Sequence, residues 1–399
     1  MSFQLSPLSP AHHFTPPGQV AVIGASSAGL FAAALLAQEG LPVRVYEASP
    51  SLDPLPRTLI VTSRLPEVLG FLPEEAVLNR VQRIELFSAG AAARLSLRQP
   101  DLIVERERVI RLLAERARQA GAEIVCGQRF IGFDASSADA PRDPLCLRFV
   151  DSTGGRPRQE RADVVIGADG VHSRVAQAAR APLPSVALLQ AQVALPPDAD
   201  PHTVRVWFAP GDTRFFYWLI PQSGQRAAVG LIADDAAQAR DELARFLNTH
   251  GLEPLEVQAG SVAVHRFSSR PWATVGGRRL YLVGDAAGQV KMTTVGGLVT
   301  GLRGARVAAT AILGHNAWRS ECRQLQRELD LHLLLRLILD RFRDADYDRL
   351  LGLLNWRTQD VLATRNRDEL ARAFWSLPFA QPRLLLLGAR VLLRQLRRG

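Results

Sequence analysis

Three glycine-and-aspartate corners, far apart in the chain and each entered from a short apolar run, constrain the fold more than any other feature. They are Val20-Ala-Val-Ile-Gly-Ala-Ser-Ser-Ala-Gly29, Asp163-Val-Val-Ile-Gly-Ala-Asp-Gly-Val-His-Ser-Arg174 and Leu280-Tyr-Leu-Val-Gly-Asp-Ala-Ala-Gly-Gln-Val-Lys-Met-Thr-Thr-Val-Gly-Gly297. A short run of Val, Ile and Leu bounded by turn residues fits a strand buried on both faces, as in parallel sheets. Three such runs in this order describe a chain that folds back repeatedly around one long ligand.

In the first corner Gly24, Ser26 and Gly29 take the places of G-x-G-x-x-G, with Ser26 at the second glycine. The first glycine permits the tight turn, the second lets backbone approach a pyrophosphate, and the third lets helix and strand pack closely. Helix N-terminal N–H groups would then face the phosphates. Glu47, at the end of the strand Pro42 to Tyr46, is placed to accept a hydrogen bond from a ribose hydroxyl. A plain strand-turn-helix is the competing interpretation. A serine nucleophile is disfavoured, because Ala25 stands where G-x-S-x-G needs a glycine before Ser27. Asp169 sits on a glycine-bounded turn, either as a ligand group or as an Asx-type helix cap. Asp285 could hydrogen-bond a ribityl chain. Gly296 and Gly297 precede a helix with Gly297, Gly301, Gly304, Ala305 and Ala308 at helical spacing, a stripe that admits something flat or a neighbouring backbone. Together the three corners point to FAD, with the helix N-terminus favouring negative charge on the reduced ring.

With 47% hydrophobic and 22% charged residues in 399, the chain can build a sizeable core in one large domain or two interleaved ones. The net charge of +9 comes almost wholly from arginine, since Lys291 is the only lysine. No compact basic run is interleaved with aromatics, so nucleic acid is not an expected partner. Cys126, Cys146 and Cys322 are odd in number and widely spaced, which argues against a disulfide framework and a zinc site. None of the histidines forms a ligand cluster, and His172 and His265 fit structural roles. The proline-bearing opening to Gly18 resembles a loose tail rather than a signal peptide. No stretch reaches the ~20 apolar residues that span a bilayer. A cytoplasmic chain is expected. The apolar and basic tail Leu384 to Arg398 fits either a docking helix of the fold or a peripheral anchor at the inner membrane surface.

Along the chain, Gln19 to Ile23, Gly29 to Gln38 and Pro42 to Tyr46 form a βαβ unit with a buried helix. After an irregular stretch, apolar residues from Val109 to Ala120 fall at helical spacing, Gly121 ends that helix, and Glu123 to Cys126 follows as a strand. Leu145 to Val150 and Gln159 to Ile166 flank a turn and make a hairpin. Between 181 and 270 the texture is β-rich, with strands at Val204 to Phe208, Thr213 to Ile220, Arg226 to Ile232 and Ser261 to Phe267 and a helix from Asp235 to His250. Beyond Gly314 the chain is mostly helical. The expected fold is α/β: a discontinuous Rossmann-like FAD-binding domain (19–180 and 271–318), an inserted β-rich substrate domain (181–270) and a C-terminal helical segment (319–399), after a disordered tail (1–18).

The three corners together resemble the flavoprotein superfamily of aromatic hydroxylases, flavin-dependent halogenases and geranylgeranyl reductases. Residues 284 to 297 are most similar to the geranylgeranyl reductases. Hydroxylases carry a histidine and a proline pair after G-D-A-A, where this chain has Gly288 and Gln289; Met292 replaces a proline of the reductases and Val295 a glycine. Phe216-Tyr-Trp-Leu-Ile-Pro221 followed by Ala228-Val-Gly230 is similar to the Y-x-W-x-F-P and V-G pattern of the reductases, and also aligns with a halogenase W-x-W-x-I-P. Arg106 resembles an arginine before the family's second helix, and Arg57 a flavin-side arginine. The resemblance covers about residues 19 to 314. It implies cofactor contacts from Gly24, Ser26, Gly29, Glu47, Arg106, Asp169, Asp285, Gly296 and Gly297. It also implies an apolar cavity walled by Phe216 and Trp218, with an isoprenoid substrate and NAD(P)H or ferredoxin as electron donor. The implied activity is reduction of carbon-carbon double bonds, with no proton donor assigned. An oxygen-using monooxygenase or halogenase, and a flavin-bound carrier without turnover, remain as alternatives.

Overall fold

A computed structural model describes residues 18–53, 56–134, 143–152, 154–155, 157–355, 358–361 and 381–396. The expected tail therefore lies, apart from Gly18, outside the described residues. The βαβ unit forms as expected: β1 (Val20–Ile23), α1 (Ser27–Gln38) and the parallel β2 (Val43–Tyr46). They belong to a six-stranded sheet in the order β16 (Trp272–Val275), β17 (Arg278–Leu282), β10 (Val164–Gly167), β1, β2, β6 (Glu123–Val125). All of its pairings are parallel except β16 with β17.

The alternation of side chains along β1 explains the layers. Val20 and Val22 join a core with α1, α3 (Arg106–Gln119) and α6 (Leu298–Ile312), whereas Ala21 and Ile23 face a second core under Phe130, Leu147 and Phe149. That second core is roofed by a three-stranded sheet of β7 (Gln128–Phe133), β8 (Leu145–Asp151) and β9 (Arg158–Ala162). Helix α1 is buried from Ser27 through Ala37, matching its lack of a polar face.

The β-rich half is an eight-stranded sheet in the order β15 (Glu256–Ala263), β11 (Ser185–Ala194), β14 (Arg226–Ala233), β13 (Tyr217–Pro221), β12 (Thr203–Trp207), β4 (Val77–Phe87), β5 (Ala92–Glu105), β3 (Thr58–Val61). The stretch expected to be irregular thus holds three of its strands, with α2 (Arg64–Leu69) between β3 and β4. The cause is visible in Arg94-Leu95-Ser96-Leu97-Arg98, whose period of two fits a sheet with one wet face. Sheet membership does not follow the texture change at residue 181, because β12 pairs in parallel with β4. Two expected strands are also shorter or shifted. Thr213 leaves the ladder to donate its hydroxyl to Ile232 O at 2.5 Å, and the strand expected at Ser261 to Phe267 runs instead from Glu256 to Ala263.

Helix α5 (Ala236–Thr249), N-capped by Asp235, covers the outer face of this sheet. After α4 (Arg174–Ala178) and α6, the C-terminal segment supplies α7 (Trp318–Leu339), α8 (Asp344–Gly352) and α9 (Arg383–Leu396). Helix α9 buries Leu387 and Val391 against Phe342 and Tyr347. No helix among the described residues is long and apolar enough to cross a membrane.

Candidate flavin site

The first two corners touch through backbone. Gly24 has φ +100°, and a Cβ there would lie 2.5 Å from Ala168 O and 2.7 Å from the Asp169 Cα. A Cβ on Gly29 would come within 2.7 Å of the Ala168 Cβ. Both glycines are therefore required by close approach between the corners. Ser26, at the second glycine position, N-caps α1 by accepting the Gly29 N–H at 3.2 Å. The Glu47 carboxylate accepts from Ala25 N at 2.8 Å and Ser49 N at 2.9 Å, which pins it over the same turn. Gly24, Ala25, Ser26, Glu47 and Ser49 line a groove of about 410 Å³ together with Arg106, Arg129 and Asp169.

Asp169 spends both oxygens on its own chain. Oδ1 accepts from the Ser173 hydroxyl at 2.5 Å, and Oδ2 accepts from Arg174 N at 2.7 Å and Val175 N at 3.1 Å. The carboxylate thus fixes the entry to α4 while the residue still lines the groove. Burial pushes its carboxyl above the ordinary value, and these hydrogen bonds oppose the rise.

The third corner meets the first on the far side of α1. A Cβ on Gly301 of α6 would lie 3.1 Å from the Gly284 Cα and 3.7 Å from the Ala28 Cβ. The Gln289 side chain lies over Gly304 and accepts from Gly284 N at 2.7 Å, while Thr300 donates to Gln289 O at 2.5 Å. At Gly301 and Gly304 the small-residue stripe is therefore filled by the protein itself. At Gly297 a Cβ would stand 3.2 Å from Asp285 Oδ1 and 3.3 Å from the Val290 Cγ2.

Around Asp285 the charges do not cancel. Its carboxyl is pushed up by burial, with Arg57 and then Arg106 opposing. Burial pushes both guanidinium groups down, and Arg106 adds to this at Arg57. The two arginines are tied together by Arg106 N donating to Arg57 O at 2.9 Å. Arg57 Nε is buried with no hydrogen-bond partner among the described residues. Two cations face one carboxylate, with Glu47 a second, smaller influence on Arg106. Such a cradle suits an anion with several acceptor oxygens, which is the chemistry of a pyrophosphate. The residues present therefore fit FAD. Gly260 on β15 belongs to this arrangement, since a Cβ there would lie 2.8 Å from Arg57 Nη1. Sequence reasoning missed it, although a lone glycine inside a strand is a signal of close approach.

Beyond Asp285 the loop to Gly297 turns apolar. Val290, Met292 and Val295 form one buried cluster with Trp218, and Phe216 packs against it. Trp218 and Phe216 meet edge to face at 6.0 Å, and Trp218 Nε1 has no hydrogen-bond partner among the described residues. The loop is braced by His265, which bridges Gly288 O at 2.9 Å and Asp330 of α7 at 3.0 Å. Thr293 and His332 add a second brace at 2.6 Å. Both histidines act structurally. Val295 has φ +52°, an angle that disfavours a β-branched residue.

The family model for the FAD binding domain matches residues 18–316. Digeranylgeranylglycerophospholipid reductase 2 of Methanothermobacter thermautotrophicus is 31% identical over 365 residues, spanning 84% of this chain and 91% of that protein. The chain belongs to the geranylgeranyl reductase family of FAD-binding proteins. It is an FAD-dependent oxidoreductase. Geranylgeranyl diphosphate reductase of Synechocystis is 29% identical over 74% of this chain and 75% of that protein. Among solved structures, a geranylgeranyl bacteriochlorophyll reductase-like protein of Thermoplasma acidophilum matches with a TM-score of 0.73 at 20% identity, covering 93% of this chain and 99% of that one. A flavin-dependent halogenase matches at 0.58 with 19% identity, covering 92% and 72%. These last two likenesses show the fold.

Proposed function

We propose that this protein reduces carbon-carbon double bonds in an isoprenoid chain carried by a lipid, a diphosphate or a quinone. The observation that carries the proposal is the change of character from the groove to the third-corner loop, which Arg106 links through Asp285. The groove is lined by Glu47, Arg106 and Asp169, and past Asp285 the chain enters an apolar cluster of Val290, Met292, Val295 and Trp218, with Phe216 packed against it. Polar groups suit a dinucleotide, and an aromatic and aliphatic wall suits a prenyl chain.

Gly24, Ser26, Gly29 and Glu47 would hold the adenosine end of FAD, with Asp169 shaping that end. Arg57 and Arg106 would hold the phosphates, and Asp285, Gly296 and Gly297 the ribityl and ring end. When bound and reduced, FAD supplies a hydride to one alkene carbon. Phe216 and Trp218 would orient the chain and exclude water, and the second carbon would take its proton from water or a backbone-ordered donor. The eight-stranded sheet would form the substrate side, with segment 181–270 as its larger part, and NAD(P)H or ferredoxin would supply electrons. Exposed Leu385, Leu386 and Leu393 on α9, beside Arg390, would give the protein a peripheral contact with membrane. Ending the chain at Leu384 should then weaken liposome binding without loss of flavin; equal binding would remove α9 from this role.

Anaerobic incubation of the reduced holoenzyme with geranylgeranyl acceptors, followed by mass detection, tests the activity. A gain of two hydrogens per double bond is expected. Unchanged acceptors across diphosphate, phospholipid and quinone forms would refute the proposal.

A further inference from the structure

We propose that the outward face of α7, with the loop beside it, docks on an anionic lipid bilayer; this deepens the reading of the substrate as a prenyl lipid and rests on it. Arg319, Arg323 and Arg327 are exposed at four-residue steps, and Leu334 and Leu337 continue the same line, 45% and 38% exposed. At ~1.5 Å per residue the stripe is roughly 27 Å long. The loop after β15 lies against its middle, because His265 reaches Asp330 at 3.0 Å, and Phe267 there is 52% exposed. At the start of the helix Trp318 packs edge to face on Trp272 at 5.8 Å, with Arg319 over Trp318 and Arg279 over Trp272. At the other end α9 packs beside Ile338 and Leu339 and leaves Leu385 and Leu386 exposed.

Charge on this face is unbalanced. Arg266, Arg270, Arg319, Arg323 and Arg327 are exposed, and none forms an ion pair with a described residue. Around β4, β5 and β12 the arginines are matched instead: Arg94 with Glu85, Arg205 with Asp198, Arg83 with Asp200. Unmatched arginines alone would suit any acidic partner. Their alternation with exposed Leu, Phe and half-exposed Trp fits a surface whose phosphates lie over hydrocarbon. A lipid surface also brings a prenyl substrate to the side of the protein where α7 braces the third-corner loop.

The test is co-sedimentation of the holoenzyme with phosphatidylglycerol/phosphatidylcholine vesicles. R319Q/R323Q/R327Q is compared with R226Q/R240Q/R245Q, a control with equal charge loss at other exposed sites. Wild type should bind, more weakly as salt shortens the screening length. The α7 triple should bind roughly a hundredfold more weakly, and the control within a few-fold of wild type. F267S/L334S should weaken binding about tenfold with the salt dependence retained. Flavin content and turnover of detergent-dispersed prenyl acceptor should be unchanged in all three. Equal binding by the two triples, no vesicle binding by wild type, or a wild-type dimer that the α7 triple dissociates would overturn the proposal. Vesicle binding as expected with no turnover of dispersed acceptor would instead contradict the substrate assignment alone.

Discussion

The two halves of the site are built from different materials. The half proposed for the adenosine is mostly backbone: Gly24 and Gly29 press on Ala168, both Glu47 oxygens and Asp169 Oδ2 accept main-chain N–H groups, and Asp169 Oδ1 accepts the Ser173 hydroxyl. The half proposed for the ring is assembled from side chains, with Gln289 filling over Gly304, His265 and His332 bracing, Trp218 in the apolar cluster, and Val295 in a costly conformation. The comparison teaches that substitution should be nearly forbidden at one end and informative at the other. On the proposed assignment, affinity for the dinucleotide would reside in the rigid half and choice of substrate in the adaptable one.

The sharpest attempt to break this contrast is Gly24→Ala. The new Cβ would meet Ala168 O at 2.5 Å in a backbone with φ +100°, so a loss of about 3–5 kcal/mol in stability and of nearly all bound flavin is expected. Denaturant unfolding and flavin absorbance read both, and a yellow, wild-type-stable variant would refute the rigid-end argument. Next in size is Asp285→Ala, which removes the carboxylate that acts on both Arg57 and Arg106 and should strip or loosen FAD. Unchanged flavin occupancy would contradict the ribityl assignment.

The same position yields a pH test in the FAD-free protein. Burial raises the Asp285 carboxyl above its ordinary 3.8, so the folded state binds that proton more tightly than the unfolded chain does. Stability from this group is therefore present at low pH and lost as pH rises through the folded value. Asp285→Asn should be more stable than wild type at neutral pH, with the gap closing on acidification; a gap that widens in acid would reverse the sign of the argument.

Smaller effects sharpen the adaptable end. Trp218→Phe should keep flavin and fold yet change the relative turnover of prenyl chains of different length. An unaltered preference would remove Trp218 from the cavity wall. Val295→Gly relieves a left-handed β-branched residue and should stabilise the protein by about 1 kcal/mol, read as a raised Tm with flavin retained. A lowered Tm would show that Val295 packing outweighs its backbone strain.

Much of the rigid end was legible in the sequence because its requirements are local: an apolar strand, a glycine turn and a helix lie within one short segment. The buried α1 and the strand-turn-helix around Gly24 follow directly from that pattern. The strands β4 and β5 were missed although Arg94 to Arg98 alternates, because their hairpin lies inside a segment that otherwise belongs to the nucleotide-binding sheet. The occupant of the α6 stripe was open to two interpretations, since only tertiary packing puts Gln289 on Gly304. The Arg57–Gly260 approach joins residues of two distant segments, and nothing in the sequence pairs them. The unmatched arginines of α7 were equally hidden, because charge balance on a face depends on which carboxylates fold beside it.

Anaerobic single-turnover reoxidation of the reduced holoenzyme tests the central claim most directly. The account predicts that a geranylgeranyl acceptor restores the oxidised flavin spectrum without oxygen, in step with formation of the saturated product. Reoxidation by oxygen alone, with peroxide or an oxygenated product and an untouched prenyl chain, would contradict it.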